Sequence, residues 1–126
     1  MSRPYRRTMP ATWWLTNRAY FLFMVRELTS VFIAIYLVLL LVLISKVAAG
    51  REAYEAYLTF LGTPAVLAFH VLALAAALYH SITWFNLAPK GLVVRVRERR
   101  VPDAIIAGSN YLAWIAVSAL LWWVVL

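Results

Sequence analysis

Between Glu27 and Lys46 the chain runs through eighteen residues without a formal charge, and this run constrains the fold more than any other feature. A helix that crosses about 30 Å of hydrocarbon needs roughly 20 apolar residues, so the run is one membrane span long. Two further stretches behave the same way. Ala104 to Leu126 is uncharged over 23 residues, and Ala56 to Pro89 is uncharged over 34. The second of these exceeds one crossing, and "GTP" at Gly62 to Pro64 supplies a stop, a Thr cap and a proline suited to the first helical position. Three spans are therefore expected, at about 28–47, 64–85 and 104–126, in a single all-α membrane-anchor domain covering 1–126. Residues 1–25, basic and aromatic, are expected as an interfacial arm. A cleaved signal peptide is the competing reading of the first span, through "VAA" at Val47 to Ala49, but its apolar run is long for such a segment.

Composition agrees: 65% of the 126 residues are hydrophobic and 13% are charged, against about 25% charged in soluble domains. The absence of cysteine excludes disulfides and thiolate-held clusters within the chain. Basic residues set orientation. Arg3, Arg6, Arg7, Arg18 and Arg26 precede the first span, and Lys90, Arg95, Arg97, Arg99 and Arg100 follow the second. Only Lys46 and Arg51 fall between spans one and two, where Glu52 and Glu55 offset them. The expected topology has the N-terminus cytoplasmic and the C-terminus periplasmic. With no nucleic-acid module present, the net charge of +7 points to anionic lipid or an acidic soluble partner. The alanines at 73, 75, 76 and 77 give span two a surface that admits a close helical neighbour.

That topology places the start of span one and the end of span two at similar depth. Glu27 and the "HSITW" of His80 to Trp84 can then share a pocket. His80 and Trp84, at i and i+4, lie on one helical face. Taken singly, Glu27 reads as an interfacial charge paired with Arg26, and Trp84 as an interface anchor. Ionisable groups within spans are nonetheless rare and usually face a partner or a cavity. No Ser/His/Asp set, HExxH or glycine-rich phosphate loop is present, which argues against hydrolytic chemistry. A carboxylate, an imidazole and an indole suit a lipid-soluble quinol, whose hydroxyls need proton acceptors and whose ring needs a flat apolar neighbour. His70, deeper in span two, is a candidate for one haem ligand or for a helix–helix hydrogen bond. His70 and His80 are about 15 Å apart along a helix and cannot clamp one haem together.

"RPYRRTMPATWW", "MVRELTSVF" and "LYHSITWFNLAPK", in this order and layout, resemble the C subunit of bacterial fumarate reductase. The resemblance extends over nearly the whole chain. It implies an anchor in the bacterial inner membrane that oxidises menaquinol. The partners implied are a second membrane anchor, an iron–sulfur subunit and a flavoprotein subunit, with FAD and iron–sulfur clusters confined to those partners. By matching motifs it places Arg26, Glu27, His80 and Trp84 in the quinone pocket, with Glu27 as proton acceptor and Ser30 on the pocket wall. Where family members often carry a glycine and an alanine, this chain has Leu28 and Ser30, which narrows that wall. Haem is not expected, and His70 falls where haem-free members need no ligand. A haem-bearing succinate dehydrogenase anchor and a purely structural tether or transporter component stay open as alternatives.

Overall fold

The structure is a computed structural model and describes residues 8–126, so Arg3, Arg6 and Arg7 of the expected arm lie outside the described residues. The chain divides into two compact units, 1–77 and 78–126, with the boundary inside one helix.

In the first unit a short 3-10 turn, Trp13–Thr16, leads into helix α1, Arg18–Ala49. Asn17 caps that helix by accepting the Ala19 N–H on its side-chain oxygen at 2.8 Å, which satisfies one of the orphan donors of the first turn. Aromatic pairs seven residues apart brace the turn against the helix. Trp13 meets Tyr20 edge-on at 5.1 Å between ring centroids, and Trp14 stacks on Phe21 at 6.2 Å. The helix opens at Arg18, ten residues before the expected start of the span, so Arg26 and Glu27 stand on regular helix. Its 32 residues extend about 48 Å at 1.5 Å per residue.

Gly50, at φ 111°, ends α1 in a conformation that a side chain would strain, and the chain turns directly into α2, Arg51–Leu61. The uncharged-run pattern does not anticipate this second helix. Glu52 in its first turn favours the positive end of the helix dipole, and Arg51 pairs with Glu55 one turn on at 2.7 Å. The Tyr57 hydroxyl donates to the Leu39 carbonyl at 3.0 Å and ties α2 back to α1. Helix α3, Pro64–Gly91, follows with Pro64 at a position where its missing N–H costs nothing. Pro89 lies in the last turn of α3.

In the second unit, α3 gives way to a two-residue hairpin, β1 Arg95–Val96 paired antiparallel with β2 Arg99–Arg100. Its turn residues, Arg97 and Glu98, both have positive φ, 47° and 67°. That is the handedness of a tight type I′ turn, normally filled by Asn-Gly, and each L side chain there costs about 1–2 kcal/mol. Helix α4, Asp103–Val125, carries Asp103 in its first turn, where it pairs with Arg100 at 3.0 Å. Phe85 meets Tyr111 edge-on at 5.0 Å and Trp114 at 6.0 Å, and the Asn86 amide donates to the Tyr111 hydroxyl at 3.0 Å, so α3 and α4 are joined near this end.

Helices α1, α3 and α4 are each long and apolar enough to cross a membrane. Among the described residues only Arg26, Ala73, Ala76 and Pro89 are buried, while large apolar side chains such as Leu41, Val71 and Leu112 are exposed. A water-soluble domain could not expose so much apolar surface; a helix facing lipid or a neighbouring protein helix does so by design.

Candidate functional site

Polar groups within the spanning helices form three clusters. The first lies in α1. The Arg26 guanidinium holds the Glu27 carboxylate through Nε at 3.1 Å and Nη2 at 2.6 Å, both on Oε1. The two partners sit in different surroundings: the Arg26 side chain is 8% exposed, that of Glu27 50%. Arg26 also lies over the Phe23 ring, its guanidinium carbon 4.7 Å from the centroid. Phe23 is not among the residues that the sequence reading nominates. Its spacing from Arg26, one helical turn, is the signal that could have found it. Thr29 and Ser30 donate their hydroxyls to the carbonyls of Arg26 and Glu27. The Ser30 proton is therefore committed to the helix backbone, and toward a ligand the oxygen can act only as an acceptor.

The second cluster belongs to the end of α3. His80 and Trp84 share a face by their spacing, and Trp84 is about half exposed. Thr83 donates to the carbonyls of Tyr79 and His80, at 2.7 and 3.0 Å, which stiffens the turn that carries the histidine. Past Trp84 a groove of about 550 Å³ is lined by Trp84, Leu87, Ala88, Lys90, Gly91 and Leu92. Gly91 and the small side chain of Ala88 keep it open. The indole of Trp84 forms one wall and Lys90 supplies the charge. In the sequence, Lys90 and its neighbours read as loop and topology signals, not as parts of a site.

His70 belongs to a third place. It meets Tyr36 of α1 edge-on at 5.5 Å, beside a cavity of about 300 Å³ lined by Ile33, Tyr36, His70, Ala73, Leu74 and Ala77. Its Nδ1 is buried without a hydrogen-bond partner among the described residues. No cluster of three or more His, Cys, Asp or Glu side chains that could hold a metal ion occurs among the described residues. The structure thus groups Arg26, Glu27 and Ser30 in the first unit and His80 with Trp84 in the second, with His70 apart from the α1 cluster.

Residues 1–126 match the family of fumarate reductase C subunits. A protein of that description from Mycobacterium tuberculosis strain H37Rv is 38% identical over 122 residues, 97% of each chain. Another from Vibrio cholerae O1 strain N16961 is 33% identical over 116 residues, 92% of this chain and 89% of its own. A third, from Klebsiella pneumoniae strain 342, is 37% identical over 107 residues, 84% and 82% of the two chains. Identity at this level along nearly the full length, together with three helices of membrane-spanning length, means that the chain belongs to the family of fumarate reductase C subunits, membrane anchors of the fumarate reductase complex.

Proposed function

We propose that this anchor contributes a menaquinol-oxidising pocket near the cytoplasmic face of the bacterial inner membrane, with Glu27 as proton acceptor. The observation that carries the reading is the Arg26–Glu27 pair, set inside an apolar helix with the guanidinium buried and the carboxylate half-exposed. A charge pair within a spanning helix is expensive unless it has work to do there. Because both guanidinium contacts fall on Oε1, Oε2 is the oxygen better suited to take a quinol hydroxyl proton. The two contacts from Arg26 fix the direction of the carboxylate.

In this reading His80 hydrogen-bonds a quinone oxygen, Trp84 packs on the ring and the Ser30 oxygen lines the wall beside Glu27. The groove at Trp84 is consistent with a flat apolar ligand at that end of α3. Oxidation of the quinol releases two protons and two electrons. The electrons pass to the iron–sulfur subunit and on to the flavoprotein subunit, where fumarate becomes succinate, and a second anchor completes the membrane part. FAD and iron–sulfur clusters belong to those partners, and no step in this chain calls for haem. The basic segments at 1–26 and 90–100 support a cytoplasmic N-terminus and a periplasmic C-terminus.

Glu27→Gln in the assembled complex is the test. It keeps shape and removes the proton acceptor, so menaquinol-driven fumarate reduction should fall by about 10²–10⁴-fold. Reduction driven by a soluble artificial donor should persist, since that route bypasses the membrane. Normal quinol-driven turnover would reduce Glu27 to an interfacial charge.

A further inference from the structure

The hairpin between α3 and α4 carries more positive charge than Glu98 and Asp103 balance. Arg95 stands directly across the ladder from Arg100, a like-charge pair that opposes the pairing of the two strands. Arg100 is answered by Asp103 at 3.0 Å. Among the described residues no carboxylate lies within ion-pair distance of Arg95, Arg97 or Arg99; Glu98, in the turn, offsets one charge, and the segment from Arg95 to Asp103 still keeps a net positive charge. Exposed apolar side chains adjoin these arginines: Leu92 at 58% and Val93 at 56% lie just before them, and Val96 at 61% lies between Arg95 and Arg97. The segment is short and bounded at both ends by helices long and apolar enough to span, α3 ending at Gly91 and α4 beginning at Asp103. Both of its ends are therefore tethered close to a membrane surface.

We propose that the 95–100 hairpin is a docking site for anionic phospholipid headgroups. Arg95, Arg97 and Arg99 take phosphate oxygens, while Leu92, Val93 and Val96 enter the boundary of the acyl chains. Arginine suits this work because its planar fork donates two parallel hydrogen bonds to a phosphate, and its long apolar stem can lie along lipid while the head reaches outward. An acidic protein surface would answer the charge but would leave Leu92, Val93 and Val96 with nothing apolar to enter. The adjacency of exposed apolar and cationic side chains in one short segment favours the bilayer.

The experiment uses the anchor assembled with its partner subunits in phosphatidylcholine membranes. Spin-labelled phosphatidylglycerol and spin-labelled phosphatidylcholine are compared for the fraction immobilised at the protein. The wild type should prefer phosphatidylglycerol several-fold at low salt, since arginines near the surface attract anionic headgroups, and salt should erode the preference. Arg95→Gln/Arg97→Gln/Arg99→Gln should remove most of it, and the corresponding triple substitution to lysine should retain most of it. Arg51→Gln, in α2, should leave it unchanged. The proposal fails if the wild type shows no preference or if the glutamine triple variant matches the wild type. It also fails if the lysine triple loses the preference as fully as the glutamine triple, which would trace the effect to hairpin shape. A preference present in the anchor alone but absent from the full complex would assign the arginines to an acidic protein surface instead, and would equally overturn it.

Discussion

Arg26 and Glu27 are sequence neighbours with opposite fates: one is the only buried charged side chain among the described residues, the other half-faces its surroundings. The sequence makes both conspicuous, because they interrupt an apolar stretch, but adjacent helical residues point about 100° apart and spacing alone does not say which turns inward. Phe23 settles it from one turn away by offering its ring face to the guanidinium. Replacing Arg26 by leucine leaves the carboxylate without its cation, and the cost depends on how much solvent reaches Glu27. In the assembled complex Arg26→Leu should lower the thermal midpoint, and Arg26→Leu/Glu27→Gln should recover part of the loss. The cycle should give a coupling of about 1–2 kcal/mol, discounted for the half-exposed carboxylate. Additive effects would show that the pair contributes nothing to stability.

Three apolar helices are legible in the sequence as elements because length and absence of charge are sufficient signals for a span. Helix α2 is not. Its residues straddle the border between the charged "REAYE" and the uncharged run that follows, so neither a span nor a loop pattern fits them. The backbone clue is Gly50, whose positive φ both ends α1 and starts α2. Tyr57→Phe removes the hydrogen bond that ties α2 to the Leu39 carbonyl and should destabilise the first unit by about 0.5–1.5 kcal/mol. That is measurable as faster hydrogen exchange in α2, with α4 unaffected. The hairpin is hidden for a related reason: Arg-Glu is a poor type I′ turn, and no sequence rule would nominate it. Arg97→Asn/Glu98→Gly preserves the net charge and relieves two left-handed side chains. It should slow exchange of the Val101 N–H, which bonds the Val94 carbonyl at 2.9 Å, by about tenfold.

At the scale of the whole molecule, so few buried residues cannot hold a fold together in isolation. Expressed without its partner subunits the chain should aggregate or be degraded, and a monodisperse, long-lived monomer in detergent would contradict this. The proposed orientation is checked by cysteine labelling: single cysteines at Ser2 and Arg97 should react only from the cytoplasm, and one at Ala53 only from the periplasm. Reaction at Ala53 from the cytoplasmic side would reverse the arrangement. Helix α1 adds a last consequence. At about 48 Å it is longer than the hydrocarbon is thick, so the surplus must be taken up by tilting or by protrusion. Both responses vary with bilayer thickness, and either one moves Glu27 along the membrane normal. Lipid acyl-chain length should then act as a tuning variable, with quinol-driven turnover peaking at one membrane thickness while turnover from a soluble donor stays flat.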